Sequence, residues 1–440
     1  MEQKFVIEGG VPLSGTVVPA GNKNGALPIL AASVLTQGEM LIRNVPRIRD
    51  VDAMLALLEH LGVTVDWRGD HDVALCGKDV DPERGVDRGL SARIRASFLL
   101  AGPLLARFGS ATLPPPGGDV IGRRRLDPHL DAFRELGATV GEARDIELAA
   151  DGGTLRAGDV FMDEPSVMAT ENALMAAALT PGTTLIRNAA CEPHVQDLAR
   201  MLVKMGANIL GIGSNVLTIT GADTLHGCDH TIAPDHIEIG SFMALAGVTG
   251  GEMRIANVVA DDLRMIRLVF ERLGLASTLD RKPDESVDVI VPGGQELVIR
   301  RDHGEYQSKV EDGPWPAFPA DLTSIAVALA TQADGTILIF EKMFENRLFF
   351  TDKLIAMGAN ITLCDPHRVL VAGRSRLRGE RVDSPDIRAG MAMLIAALCA
   401  DGRTEIGNIR QIDRGYERID QRLAALGARI ERVHEAAVHA

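Results

Sequence analysis

Apolar and polar positions along this chain fall into two short patterns that recur over its whole length. In the first, apolar residues return at three- and four-residue steps, as in DVDAMLALLEHLG ending at Gly62, DLARMLVKMG ending at Gly206 and DQRLAALG ending at Gly427. That spacing predicts amphipathic helices with one buried face. Each such stretch closes on an apolar residue, a glycine and a strand-like run: LGVTV at Gly62, LGATV at Gly137, MGANI at Gly206, LGLAS at Gly274, MGANI at Gly358 and LGARI at Gly427. The glycine stands where a helix C-cap is wanted. The second pattern is a Gly turn followed by a β-branched run, and it follows an Ala-rich helix each time. It reads LTQGEMLIRNV, LTPGTTLIRNA, VTGGEMRIANV and, in degenerate form, QADGTILIFEK and CADGRTEIGNI, the first three closing on Asn in the same place. These runs predict strands, and TVDWRGDHDVALC predicts a hairpin between units.

Successive glycines of the first pattern are 75, 69, 68, 84 and 69 residues apart, so six units of similar length account for nearly the whole chain. A period near 70 exceeds the roughly 20 to 50 residues of stacked solenoid repeats, and the alternation of helix and strand predicts an α/β fold. With 440 residues against a prior of about 150 per domain, two domains of three units each are expected. A repeated unit specifies architecture and leaves the chemistry open, so function is to be sought where units depart from the pattern.

Composition narrows the function classes. The 46 Lys and Arg against 60 Asp and Glu leave a net charge of −14, which argues against nucleic acid or an anionic membrane as the main partner. The longest apolar windows fall well short of the ~18 to 20 residues of a spanning helix. The opening MEQKFVIE alternates like a strand and lacks the features of a secretory signal, and the five cysteines are odd in number, scattered and free of any C-x-x-C pair. A protein of the reducing cytoplasm is expected.

Four departures from the repeat carry candidate chemistry. In PAGNKNGALP, Lys23 and Asn24 stand among small residues at a predicted helix start, where free N–H groups, the helix dipole and the ammonium all favour an anion; a solvated loop lysine is the alternative. The run PPPGGDVIGRRRLDPH, Pro114 to His129, is too long and too rich in Gly and Pro for a tight connection and predicts a lid or binding loop. Its Asp119 is either a turn residue or a carboxyl group governed by Arg123, Arg124 and Arg125. Arg93, Arg95, Arg347, Arg388 and Arg414 lie off the amphipathic faces and together suit a doubly anionic ligand. Asp321 in PWPAFPADLTS is either an N-cap or a general base. His226, Cys228 and His230 lack a fourth ligand nearby and make a poor zinc site. No phosphate loop of the G-x-x-x-x-G-K-[ST] form and no dinucleotide fingerprint is present in the sequence.

Taken in order, KNGALP, RASFLLAGPLLARFG, PPPGGDVIGRR, DEPSVMATENALMAAAL, AFPAD, FENR, DIRAG and IDRGYERI resemble the bacterial UDP-N-acetylglucosamine 1-carboxyvinyltransferase family, enolpyruvyltransferases of the EPSP synthase superfamily that open peptidoglycan precursor synthesis. The resemblance implies a two-domain inverse α/β barrel of six βαβαββ repeats with the active site in the interdomain cleft. One domain is then expected at 22–233, carrying a catalytic lid at about 112–125, and the other at 1–21 plus 234–440. It implies transfer of the enolpyruvyl group of phosphoenolpyruvate to the sugar 3-hydroxyl with release of phosphate. It also implies no cofactor or metal, no nucleic-acid or membrane partner, and a monomer acting on small molecules.

Carried over position by position, the resemblance makes Lys23, Asn24, Arg124, Arg388 and Arg414 the phosphoenolpyruvate contacts. Asn24, Arg95, Arg124, Arg125, Leu126, Asp127, Pro128, Glu164, Pro165, Ser166, Val167, Asp321 and Met343 correspond to the sugar-nucleotide contacts. The catalytic set is Lys23, Asp119, Asp321 and Arg414, with Asp119 as acid and Asp321 as base or hydroxyl orienter. Three departures stand out. Asp119 replaces the usual lid cysteine, a known natural alternative; Arg125 and Pro128 are unusual in the nucleotide loop; and Met168 replaces a glycine. The last two bear on the acceptor, leaving open another uridine nucleotide of secondary metabolism, or a non-catalytic sugar-nucleotide-binding paralogue.

Overall fold

The computed structural model describes residues 3–434 apart from 120 and 143 and 305, and apart from the side chain of Glu142. Residue 120 of the expected lid and residues 1, 2 and 435–440 of the expected second domain lie outside the described residues. The chain divides into two compact units, one of Gly21–Asp119 with Arg124–Ala233, the other of Met1–Ala20, Val120–Arg123 and Pro234–Ala440.

Six sheets are described, three to a unit, so each sequence repeat builds one sheet. The pattern is clear in the sheet of Asp159–Phe161, Thr183–Arg187, Val216–Thr220 and Asn208–Leu210: the first two strands pair parallel and the others add on antiparallel. Five sheets have four strands. The sixth, built from Ser110–Leu113, Ile146–Ala150 and Ala138–Glu142, has three. Its repeat is the one that lacks the second sequence pattern and carries the Pro-rich loop instead.

Strands distant in sequence close each unit on itself. Asp229–Thr231 joins Glu39–Arg43 in the first unit, and Gln3–Glu8 lies between Arg403–Gly407 and Arg429–His434 in the second. A discontinuous domain results because the N-terminal strand finds its partners only after some 400 residues of chain.

Two kinds of helix serve the sheets. Ala-rich helices Lys23–Ala31, Ala101–Phe108 and Val167–Ala177 line the core of the first unit; His236–Thr249, Thr323–Thr331 and Ile387–Cys399 do the same in the second. They are apolar almost all round, as helices enclosed on every side must be. Small residues let them pack closely: a Cβ on Gly102 would lie 2.4 Å from the carbonyl oxygen of Asn172. The outer helices, such as Arg49–Leu61 and Pro193–Lys204, are the amphipathic ones. All six repeat glycines end these helices with φ between 82° and 109°, a region costly for any residue with a Cβ.

The recurrent asparagines do related work at the strand ends. Asn44, Asn188 and Asn408 have φ of 50° to 57°, and each donates its side-chain N–H to the carbonyl just beyond the parallel neighbouring strand, of Ile232, Met162 and Ser384 at 2.8–2.9 Å. Among the described residues no helix is long and apolar enough to cross a membrane.

Candidate functional site

In the first unit, Lys23 opens its helix behind Asn22, whose Oδ1 accepts the Gly25 N–H at 3.1 Å. Its ammonium lies 3.1 Å from the buried carboxylate of Asp50. The solvated-lysine alternative is therefore set aside: the charge is held at the helix N-terminus by a fixed partner. Nothing in the sequence pattern singled out Asp50, which reads as an ordinary acidic residue at the start of an amphipathic helix. Asn24 follows in the same first turn.

The Pro-rich loop is tied down at its base. Gly117 donates its N–H to the Ser91 carbonyl at 3.0 Å and passes so close to Ala92 that a Cβ would overlap its oxygen. Arg95 donates to the carbonyls of Arg124 and Arg125 at 2.7 and 3.1 Å, and Arg124 donates to the carbonyl of Asp119 at 2.6 Å. Burial, then the neighbouring Arg124 charge, push Arg95 down to about 10. These arginines brace the loop that carries Asp119. Arg125 reaches Asp163 at 2.8 Å and Asp127 at 3.3 Å. Arg93 is exposed.

Past the loop, Leu126 precedes the helix Asp127–Glu135, and Pro128 sits in its first turn, where the missing N–H costs nothing. Pro128 is thus compatible with the local backbone. His129 is buried edge-on against Phe98 and shares a 2.9 Å contact with Asn172 Nδ2. Since that amide nitrogen donates, His129 Nδ1 accepts. Burial, then the Arg95 charge, bring His129 down to about 3, so it is neutral. Asn172 also accepts from Gly102 N–H at 2.8 Å and donates to Phe98 O at 2.9 Å.

Glu164 is exposed, Pro165 half-buried, and Ser166 caps the helix that begins at Val167, its Oγ accepting from Ala169 N–H at 3.4 Å. Met168 is half-buried and packs against the core of the unit. His226 and His230 are parted in role: His230 Nε2 meets Asp197 at 3.1 Å inside the fold, while His226 faces the carbonyl of Gly227.

In the second unit, Asp321 lies between two arginines. Arg347 Nη2 donates to Oδ1 at 2.9 Å, and Arg388 reaches Oδ2 through Nε at 3.1 Å and Nη2 at 3.0 Å. The N-cap alternative fails, since the side chain caps no helix here. Arg388 is itself positioned by Asp386, which caps its helix, and by Tyr416 Oη at 3.2 Å, which in turn meets Ser241 Oγ at 3.2 Å. His236 stands edge-on to Trp315, and burial holds it below its ordinary pKa while Asp235 opposes the shift. Arg414 bonds Gln411 at 2.9 Å, and Met343 is exposed. Arg123 N–H donates to Glu345 Oε2 at 3.1 Å, and Asn346 N–H to the Ile121 carbonyl at 3.1 Å. The pairing of Arg347 with Asp321 had no sequence signal beyond the position of the arginine off any amphipathic face.

Chemically, the first unit offers an anion-seeking lysine and a braced loop with a carboxyl group. The second offers a carboxylate whose orientation is set by two guanidinium groups. Comparisons with known proteins extend this. Residues 7–423 match the family described as EPSP synthase (3-phosphoshikimate 1-carboxyvinyltransferase). A UDP-N-acetylglucosamine 1-carboxyvinyltransferase of Bradyrhizobium diazoefficiens is 54% identical over 437 residues, 98% of each chain. One from Treponema denticola is 50% identical over 428 residues, 97% of this chain and 99% of its own. Among solved structures, the enolpyruvyl transferase NikO from Streptomyces tendae shares the fold with a TM-score of 0.85, at 24% identity over 99% of this chain and all of its own. The family match and the near-complete alignments make the conclusion plain: this chain belongs to the EPSP synthase family of carboxyvinyltransferases.

Proposed function

We propose that the protein transfers the enolpyruvyl group of phosphoenolpyruvate to the 3-hydroxyl of UDP-N-acetylglucosamine and releases phosphate, the first committed step of peptidoglycan precursor synthesis. The observation that carries this reading is 54% identity over 98% of both chains to a relative bearing that activity's name. Relatives at about half identity favour the sugar nucleotide over another uridine nucleotide as acceptor.

The reaction divides into addition and elimination. A proton goes to C3 of the enol, C2 becomes electrophilic, the sugar oxygen bonds to C2 and its proton leaves; then the C2–O bond to phosphate breaks and C3 gives up a proton. Such a sequence needs an acid, a base and fixed positive charge. Asp119 is assigned the acid and Asp321 the base, with Lys23, Asn24, Arg124, Arg388 and Arg414 holding phosphoenolpyruvate. The acceptor contacts are assigned to Asn24, Arg95, Arg124 to Pro128, Glu164 to Val167, Asp321 and Met343. We assign 22–233 and 1–21 plus 234–440 as the two enolpyruvyltransferase domains, and 112–125 as the lid. The single chain is taken as the catalytic unit, checked by light scattering at assay concentration. Its substrates are cytoplasmic metabolites, and the enzyme is placed there with them.

The test is phosphate release with phosphoenolpyruvate and, in parallel, UDP-N-acetylglucosamine, UMP or shikimate 3-phosphate. Release only with the sugar nucleotide is expected. Preference for UMP would move the protein to the secondary-metabolism reading, and no release with any acceptor would favour the non-catalytic one.

A further inference from the structure

One repeat breaks the asparagine rule at a buried position. In GEMLIRN, GTTLIRN and GRTEIGN the residue after the strand is Asn44, Asn188 or Asn408; in GTILIFE it is Glu341. The strands Gly335–Phe340 and Lys309–Glu311 pair parallel with Glu311 opposite Phe340, so Glu341 and Asp312 emerge side by side just beyond the sheet. Elsewhere the asparagine amide donates across this gap to a carbonyl. Here the two residues are a glutamate and an aspartate, both buried.

One oxygen of each carboxyl group is occupied by a backbone donor: Phe344 N–H on Glu341 Oε1 at 3.2 Å, and Lys342 N–H on Asp312 Oδ1. The other pair, Glu341 Oε2 and Asp312 Oδ2, accepts no hydrogen bond among the described residues, while the two carboxyl groups lie within reach of each other. Two ionised carboxylates are acceptors only, and facing each other out of water they repel; a single proton between them turns repulsion into a hydrogen bond. Among the described residues, Glu341 is also faced by the Thr323 hydroxyl, at the start of the adjacent helix, and by Arg347, whose Nε is 3.9 Å from Oε2. His367 Nδ1 meets the Glu341 backbone carbonyl at 2.7 Å, and the Lys342 ammonium is engaged by Glu311 at 3.1 Å.

We propose that Glu341 and Asp312 hold one proton between them, and that this protonated pair keeps Arg347 committed to Asp321. Glu341 is then a positioning residue, acting through Arg347 on the carboxylate assigned as base. Burial lifts the Glu341 carboxyl to about 9, with Arg347 opposing the rise and Asp312 adding to it. When Glu341 ionises, a second buried carboxylate competes for the one guanidinium, and Asp321 loses part of its partner.

The role in turnover rests on the enolpyruvyl-transfer reading; the shared proton does not. Two measurements keep them apart. In protein carrying 13C at the glutamate carboxyl, the Glu341 resonance, identified by its loss in E341Q, should titrate with a midpoint above about pH 7, against an ordinary value near 4.3. A midpoint at or below about pH 7 overturns the shared proton whatever the enzyme's activity. Secondly, kcat for phosphate release should fall on an alkaline limb. D312N, which removes the neighbouring negative charge, should move that limb down by about one pH unit or more. E341Q, whose amide donates to Asp312 as the protonated acid does, should move it up. KM for the sugar nucleotide should change less than the limb does in both. Limbs that coincide in all three proteins, or that shift in the same direction in both variants, overturn the link from the pair to Asp321.

Discussion

Replacing Asp321 with asparagine removes the negative charge that pairs with both Arg347 and Arg388, whose side chains are only 4% and 5% exposed. The carboxylate accepts from both at 2.9 to 3.1 Å, and asparagine offers one oxygen in place of two. If that oxygen stays with Arg388, the amide N–H₂ group faces Arg347, donor against donor. Breaking a buried ion pair costs about 3 to 5 kcal/mol. Asp321 keeps a quarter of its side chain exposed, and Arg347 has the Glu341 carboxyl as an alternative 3.9 Å away, so the lower end, about 3 kcal/mol, is expected. For a unit of some 200 residues this is a fall in Tm of roughly 6 to 12 °C. Losing the carboxylate proposed as general base should at the same time lower kcat by about two to four decades. Differential scanning calorimetry and phosphate release on the same preparation read both numbers. A D321N protein that melts within about 2 °C of the parent and turns over at a similar rate would refute the reasoning from the paired arginines.

Other consequences follow from single contacts. On the proposed assignment Asp119 takes the lid position of a cysteine that the epoxide fosfomycin alkylates, and a carboxylate is a far weaker nucleophile than a thiolate. The wild type should therefore show no adduct by intact-mass spectrometry after incubation with the drug and sugar nucleotide, whereas an active D119C should gain one; the reverse pattern would remove Asp119 from the lid role. On the proposed assignment of Lys23 to phosphoenolpyruvate, Lys23→Ala should remove a charge-assisted hydrogen bond worth about 1.5 to 3 kcal/mol and lower kcat/KM for phosphoenolpyruvate by roughly one to two decades, and an unchanged value would exclude Lys23 from the anion site. His129 is held at about 3 in the fold against 6.5 in the unfolded chain. A depressed pKa means its contribution is fully present above about pH 6.5 and is lost as the pH falls through 3, amounting to about 2 kcal/mol by pH 5. Urea unfolding should show the wild type losing about that much more than H129Q between about pH 7.5 and 5, and equal losses would contradict a neutral buried His129.

What could be read from the sequence was what depends on neighbours along the chain. A helix that ends in a left-handed turn calls for glycine wherever it occurs, so Gly62 through Gly427 mark out six units by residue type alone. The asparagines carried the same kind of local signal, since their positive φ selects the residue type. Helix type was legible for the same reason: the Ala-rich stretches are the enclosed helices and the period-3.6 stretches the outer ones. Lys23 at a helix start and the long Gly/Pro loop also declared themselves locally.

Partnership was not legible. Asp321 could be named, but its two arginines lie 26 and 67 residues further on, Arg388 on the helix Ile387–Cys399 and Arg347 in the segment between the strand Gly335–Phe340 and the helix Thr351–Ala356, and only the fold brings them to it. Asp50 looked like any acidic residue at a helix start until the fold placed Lys23 against it. Arg95 and Arg124 looked like ligand-seeking cations, yet both spend donors on loop carbonyls. The reason is physical. Backbone conformation is selected by a residue's own sterics, which the sequence carries directly, whereas ionisation and hydrogen bonding depend on what is within about 4 Å in space, which only the tertiary fold decides. Glu341 stands between the two cases. Its departure from asparagine was visible in the repeat, but its meaning required the parallel strand that sets Asp312 beside it.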